Sequence, residues 1–209
     1  YLYKKGYAAK VKAYVEAGGC YVSTYFSGVV DETDLCILDR HPLEEVLGIC
    51  TEEMDAANEK HPNSIYFGGK SYRTGCLREV SHVVPGSGTE VLASYEADYY
   101  AGLPALTCKR FGNGRAYYLA CETEADFLRA FYAQLAEENS VAGAFTGKLP
   151  YGVTASRRDG ERNLWFLQNY NASEAEAELP GTYTRVADGA RVEGKVVLKP
   201  YECLILAEK

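Results

Sequence analysis

The sequence predicts two domains: an α/β domain over residues 1–146, with a largely parallel sheet and an antiparallel edge, and a small antiparallel β-sandwich over residues 147–209. Helical and strand-like patterns alternate in the first part, whereas only short strand-like runs follow the Gly- and Pro-containing segment 142–150. The second part, of about 60 residues, is marginally stable unless it packs on the first.

The first domain opens with a helix and a strand. Apolar residues at helical spacing between residues 7 and 15 predict an amphipathic helix, which the glycine pair 18–19 ends. Residues 20–26 are β-branched and aromatic, and so apolar a run predicts a strand covered on both faces. Residues 42–48 form a short predicted helix, with Pro near its start and Gly at its end.

Three strands and a helix complete the first domain. Residues 55–75 are polar and glycine-rich, and their lack of periodicity predicts no regular element. Strand-like runs follow at 89–96, 105–110 and 114–121. The last two flank the segment 112–114, Gly-Asn-Gly, whose residues tolerate the positive φ of a tight hairpin turn. The segment 123–126 matches a capping box and predicts a helix after it.

The second domain contains strand-like runs separated by turn signals. Asp-Gly pairs at 159–160 and 188–189 mark two of the turns. The predicted strands are 151–157, 162–168, 174–179, 182–186, 195–198 and 202–207. This spacing predicts the small antiparallel sandwich.

Composition excludes several classes of partner. The chain has 22 basic and 29 acidic residues, and a net charge of −7 argues against nucleic acid, because phosphate binding needs a basic surface. No apolar run approaches the roughly 18 residues that indicate a membrane span. The seven cysteines include no C-x-x-C pair, and several lie in apolar runs, where a free thiol packs as a small apolar group. This usage predicts a reducing compartment and hence a cytoplasmic protein.

Cys50 is the candidate nucleophile of the sequence. Gly48-Ile49-Cys50 resembles the Gly-x-Cys-x-Gly nucleophile turn of class I glutamine amidotransferases. However, Thr-Glu-Glu follows at 51–53, so the second glycine is missing and acidic neighbours disfavour a thiolate. The required His-Glu pair near the end of the domain is also missing, since the last histidine is His82. We predict that Cys50 is a buried strand residue; a cysteine-dependent amidotransferase stays as an alternative.

Three carboxylates, Asp31, Glu32 and Asp34, follow the carboxyl end of the first predicted strand, where α/β folds place ligand sites. They could hold a hard cation through oxygen ligands, or they could belong to a solvated turn whose side chains bond the nearby backbone. No Gly-x-Ser-x-Gly turn and no glycine-rich phosphate loop occurs in the sequence. We predict no catalytic residue, no cofactor and no metal site.

Several long runs resemble one known family. They are YVSTYFSGVVDETDLCIL at 21–38, PLEEVLGICTEEMD at 42–55, ASYEADYYAGLPA at 93–105, FGNGRAYYLA at 111–120 and WFLQNY at 165–170. The first two resemble the trimerisation domain of glycoside hydrolase family 42 β-galactosidases, and the last resembles the final β domain of that family. The likeness covers nearly the whole chain, although Cys50 stands where the family often has an aromatic residue.

The resemblance implies a three-part parent enzyme: a catalytic (β/α)8 barrel, an amidotransferase-like α/β domain and a small β domain. Such a parent hydrolyses terminal β-D-galactosides with retention, through two carboxylic acids on the barrel. A barrel needs about 250 residues, so we expect it to be absent here and this chain to be inactive alone. The chain lacks an initiator Met, and we expect a fragment in which residues 1–146 form a truncated flavodoxin-like, class I glutamine amidotransferase-like domain. A stand-alone carbohydrate-binding module, with Tyr and Trp165 as stacking platforms, is a further alternative, for which we expect no heat of binding with galactose or lactose.

The same resemblance predicts that residues 20–57 serve assembly, as part of a homotrimer in the parent. A closed ring of three protomers uses heterologous contacts, in which one surface meets a different surface of the neighbour. The candidate contact residues are Tyr21, Tyr25 and Phe26, with Asp31, Glu32 and Asp34 as a polar rim. Alternatively, the aromatic side chains belong to the core of their own domain and the acids face water.

Overall fold

The structure, a computed structural model, describes residues 1–38, 40–58, 60–145 and 149–208. The chain divides into two compact units, Tyr1–Ala133 and Gln134–Lys209. The predicted domain boundary, between residues 146 and 147, lies outside the described residues. Within the described ranges, no helix has the length and apolar character that crossing a membrane requires.

Two helices of the first unit lie where the sequence predicts them. Helix α1 spans Tyr7–Glu16 and helix α2 spans Glu44–Leu47. Gly48 ends α2 with a φ of 64°, and a Cβ there would lie 2.0 Å from Thr89 Oγ1, so this position requires glycine. The apolar faces of both helices belong to one buried cluster with Ile49, Ala116 and Tyr118 of the sheet.

The first unit is built on a mixed eight-stranded sheet. Its strands are β1 (Cys20–Thr24), β2 (Ile49–Ala56), β3 (Ser64–Phe67), β4 (Lys70–Val83), β5 (Glu90–Tyr95), β6 (Pro104–Phe111), β7 (Gly114–Leu119) and β8 (Cys121–Thr123). The order is β1-β7-β6-β5-β3-β4-β2, and β8 pairs with β4. The α/β character is confirmed.

The prediction of a largely parallel sheet is wrong. Only β1 and β7 pair in parallel among the described strands, and all other neighbours are antiparallel. Parallel neighbours need a crossover connection, whereas β3 and β4, and β6 and β7, are joined directly by hairpins, the second through the turn at 112–113 within the predicted segment 112–114.

The segment 55–75 contains regular structure that periodicity did not predict. The end of β2, all of β3 and the start of β4 lie there, and β3 and β4 form a hairpin through Gly68 and Gly69. Both glycines have positive φ, 58° and 85°. A Gly-Gly pair between aromatic, strand-forming residues is the hairpin signal that the periodicity analysis missed.

The second unit contains a single antiparallel sheet. Helix α3, which the sequence predicts after the capping box, spans Ala125–Glu138 and so begins in the first unit and ends in the second. The strands of the second unit are β9 (Val153–Arg158), β10 (Leu164–Asn169), β11 (Ala175–Arg185), β12 (Arg191–Leu198) and β13 (Cys203–Glu208). Their order is β12-β11-β13-β10-β9, which confirms the antiparallel prediction. The expected strands 174–179 and 182–186 form one long strand, β11, with an irregular register between Glu178 and Thr182. All five strands are therefore hydrogen-bonded into one sheet rather than two separate facing sheets.

Candidate functional site

Tyr21 lies on β1 and faces the core of its own unit. Its half-buried ring packs against the cluster that α1 and α2 share, and its hydroxyl lies 3.3 Å from the hydroxyl of Tyr7. Burial raises the pKa of the Tyr21 phenol. Part of this ring therefore stabilises the unit itself.

Tyr25 and Phe26 form the turn that follows β1. The Tyr25 N–H donates to the carbonyl of Leu119 at 2.8 Å, and the two rings meet edge to face at 5.8 Å. Phe26 has a φ of 57°, which is unusual for a bulky residue, and its N–H donates to Glu79 Oε1 at 3.0 Å. The structure thus brings these two predicted residues together and holds their turn by a side chain from β4.

The three predicted acids differ in their surroundings. Asp31 Oδ1 accepts from the Thr33 N–H at 2.8 Å, from the Thr33 hydroxyl at 2.7 Å and from the Leu35 N–H at 3.2 Å. These bonds, the Thr33 hydroxyl first, hold the pKa of Asp31 below its usual value. Glu32 and Asp34 are exposed, and Asp34 has a φ of 65°. Asp31 therefore shapes the loop, while the other two carboxylates face solvent.

An exposed apolar surface lies beside this loop. The segments 1–3, 28–30 and 35–37 pair through Leu2 with Val30 and through Val30 with Cys36, and we call them the ribbon. Leu35 is 66% exposed, and Leu38, directly after the ribbon, is 90% exposed. Tyr1 and Leu2 are exposed as well. Adjacent exposed apolar side chains of this kind mark contact surfaces.

Two segments of the ribbon line part of a cavity of about 180 Å³. It is lined by Ser27, Gly28, Val29, Cys36, Ile37, His41, Cys50, Thr51, Met54, Glu79 and Tyr118. Cys50 lies on a strand, as predicted, but the prediction that it is buried is wrong. Side chains of β2 alternate between two faces, so the buried Ile49 turns the next residue, Cys50, outward.

A buried carboxyl group lies at one wall of this cavity. Glu79 is 2% exposed and accepts hydrogen bonds from the Phe26 N–H and from the Tyr118 hydroxyl. Burial raises the pKa of Glu79, although both bonds oppose the shift, and burial together with the Glu79 charge raises the pKa of Tyr118. Sequence analysis missed Glu79 because one carboxylate within a strand forms no motif.

His41 is engaged by the backbone on both sides of its ring. Its Nδ1 accepts from the Leu43 N–H at 3.0 Å, so Nε2 carries the proton and donates to the Ser27 carbonyl at 2.8 Å. Burial lowers the pKa of His41, which favours this neutral form. Since His41 and Glu79 both have other partners, the cavity offers Cys50 no ready general base.

A mixed α/β sheet with an exposed apolar ribbon and internally bonded polar groups has the features of a domain that contacts other protein surfaces. The family model described as the β-galactosidase trimerisation domain matches residues 1–142, and the β-galactosidase C-terminal domain model matches residues 152–208. The chain belongs to the glycoside hydrolase family 42 β-galactosidases and matches their trimerisation and C-terminal portions.

Individual relatives agree with this assignment. The chain is 39% identical over 219 residues to β-galactosidase BgaA of Planococcus sp. strain 'SOS Orange', with 100% of this chain and 32% of that protein covered. It is 35% identical over 217 residues to β-galactosidase Pbg of Clostridium perfringens, again over 100% and 32%. The β-galactosidase structure from Bacillus circulans sp. alkalophilus matches with a TM-score of 0.88 and 36% identity, over 100% of this chain and 32% of that one. The chain thus spans about a third of the length of these relatives.

Proposed function

We propose that this chain is the non-catalytic assembly portion of a β-galactosidase whose whole protein hydrolyses terminal β-D-galactosides with retention. The match of the trimerisation family model to residues 1–142 carries the proposal. The relatives named above are called β-galactosidases, and each is about three times as long as this chain. The hydrolytic step belongs to the remainder of such a protein.

The proposed assembly is a homotrimer with heterologous contacts. The ribbon and the turn at Tyr25 and Phe26 form one side of each contact, because their apolar side chains are exposed or half-buried and adjoin in the fold. Glu32 and Asp34 supply exposed charge at the edge, and Asp31 keeps their loop in shape. Tyr21 contributes only the part of its ring that the core of its own unit leaves open.

A cytoplasmic location fits the cysteines. Cys36, Cys50, Cys76 and Cys203 are exposed free thiols. Thiols of this kind persist in a reducing compartment and are oxidised in the secretory pathway.

Light scattering at several protein concentrations tests the assembly. We expect three protomers per particle for the wild type and a smaller particle for Leu38→Asp, since a charge at a 90% exposed site opposes contact without disturbing the fold. Tyr66→Asp is the matched control, because Tyr66 is a 54% exposed apolar residue on β3. A strict monomer at high concentration, or equal loss in the control, would contradict the proposed surface.

The boundary at 146/147 is part of the proposal. It lies between the segments that the two family models match, 1–142 and 152–208. Residues 1–146 expressed alone are expected to form particles with the same number of protomers as the full chain. A folded but monomeric 1–146 would place the assembly function elsewhere. Hydrolysis of a β-galactoside by the longer parent protein is a separate assay and tests the enzymatic half of the proposal.

A further inference from the structure

Three strongly exposed tyrosines lie at one end of the C-terminal sheet. Tyr151, Tyr170 and Tyr201 are 92%, 61% and 72% exposed. Tyr151 precedes β9, Tyr170 follows β10 and Tyr201 precedes β13. Both β9 and β13 pair antiparallel with β10, so the starts of those strands and the end of β10 share one end of the sheet. We call these three side chains the tyrosine platform.

Hydrogen bonds tie the three loops together. The Tyr170 N–H donates to the Gly152 carbonyl at 2.8 Å, which joins the first two loops. Asn171 Nδ2 donates to the Tyr151 carbonyl at 2.8 Å, and the Tyr201 N–H donates to the Asn171 carbonyl at 3.3 Å. Asn171, which directly follows Tyr170, is therefore bonded to the loops of the other two rings.

The buried side-chain amide of Asn169 also holds these loops in place through hydrogen bonds. Asn169 is 2% exposed, and its Nδ2 donates to the carbonyls of Ser173 and Lys199, each at 2.9 Å. Its Oδ1 accepts from the Asn171 N–H at 3.0 Å. A surface whose loops are held in this way loses little conformational freedom when a ligand binds.

Tyr201 occupies its position at a cost to stability. Its φ of 57° lies in the left-handed region, where Gly or Asn is favoured over a bulky residue. Its ring is also largely exposed, so packing offsets little of that cost. A strained residue that gains so little from the fold points to a function for its side chain.

We propose that the tyrosine platform binds a linear β-linked galactan. Phenol rings present an apolar face to the C–H face of a sugar ring, while their hydroxyls and the neighbouring amides bond the sugar hydroxyls. Rings on separate loops can each contact a different sugar unit of the same galactan, so a monosaccharide contacts only a part of the platform. The galactose class of ligand rests on the proposed function, since it follows from the galactosides assigned to the parent enzyme. Trp165, the platform that sequence analysis considered, is 7% exposed and belongs to the core.

Titration of the full chain with β-1,4-galactotetraose, by NMR and calorimetry, tests the proposal. We expect saturable shifts around the three tyrosines and, with galactose, at least about tenfold weaker binding. Tyr201→Gly removes the ring and suits the left-handed turn, so binding should weaken about fivefold or more without a lower melting temperature. Tyr151→Ser should weaken binding similarly, and Tyr66→Ser on β3 is the matched control that should leave it unchanged.

The absence of saturable binding, or equal binding by both platform variants and the wild type, would overturn the proposal. Equal affinity for cellotetraose would overturn the galactose class. A change of particle mass in Tyr201→Gly or Tyr151→Ser, with galactan binding intact, would identify the platform as a protein contact instead. The two proposals can fail separately. If this chain binds galactan but the parent does not cleave β-galactosides, the proposed function is wrong and the binding site remains supported.

Discussion

Removal of the Glu79 carboxyl group tests whether the core holds the turn at Phe26. In Glu79→Ala, two buried donors, the Phe26 N–H and the Tyr118 hydroxyl, lose their acceptor. An unsatisfied buried polar group costs about 1–3 kcal/mol, and relief of carboxylate desolvation returns part of this, so we expect a loss of about 3 kcal/mol. In Glu79→Gln the amide oxygen accepts from Phe26 and the amide N–H₂ donates to Tyr118, so the expected loss is about 1 kcal/mol.

The assay is urea unfolding monitored by far-ultraviolet circular dichroism. The free energy of unfolding and its dependence on urea concentration are compared between the variants. Tyr118→Phe is the matched control, because it removes one of the two bonds and retains the ring. It should fall between Glu79→Gln and Glu79→Ala. A Glu79→Ala variant within about 0.5 kcal/mol of the wild type would refute the reasoning, since it would mean that neither donor depends on the carboxylate.

The pH dependence of the folding stability is a second, independent test of the role of Glu79. Burial raises the folded-state pKa of Glu79 above its unfolded value, so the folded protein holds this proton more tightly. The resulting stabilisation is present below the unfolded pKa of about 4.3 and is lost as pH rises through the folded pKa. The stability of the wild type relative to Glu79→Gln should therefore decrease from about pH 4 upward. An increase over that range would show that the hydrogen bonds, rather than burial, dominate the shift.

Two further predictions concern other parts of the first unit. Gly114→Ala should lower the free energy of unfolding by about 3 kcal/mol or more, because a Cβ at this position would lie 2.2 Å from the Val15 carbonyl oxygen. A thermal melt measures the loss. Gly160→Ala is the control, because the nearest atom to its Cβ would lie 3.8 Å away. Iodoacetamide should label the exposed Cys50 about as fast as the exposed Cys76 and far faster than the buried Cys121, the pKa of which burial raises to about 12. Selectively fast labelling of Cys50 together with glutamine turnover would instead support an amidotransferase.

Local signals in the sequence predicted the elements that local interactions determine. The helix at α1 and the hairpin at 112–113 depend on spacing and turn residues within a few positions, and both are present. Strand direction depends on pairing between distant segments, and for that reason the parallel sheet was predicted wrongly. The outward face of Cys50 could not be predicted either, because it depends on which face of β2 its neighbours cover.

The candidate surface was predicted in part. Tyr25 and Phe26 adjoin as expected from their order in the chain, but the ribbon joins segments 1–3 and 35–37, which no local pattern relates. Leu35 and Leu38 were the available signal, as apolar residues directly after three acids in a loop. No such signal marked Glu79, because its role depends on a hydrogen bond to the turn at Phe26, which is distant in the sequence.

The turn at Phe26 connects the packing of the sheet to the proposed contact surface. A buried carboxylate is costly, and a left-handed bulky residue adds to the cost, yet the two occur as one hydrogen-bonded unit at the base of the loop that carries Glu32 and Asp34. If assembly uses this loop, the free energy of association stabilises the folded chain by mass action, and the melting temperature should rise with protein concentration. Glu79→Ala should then lower the melting temperature at low protein concentration and also reduce its rise with concentration. Gly114→Ala acts between α1 and β7, so it should lower the melting temperature but leave the rise with concentration unchanged.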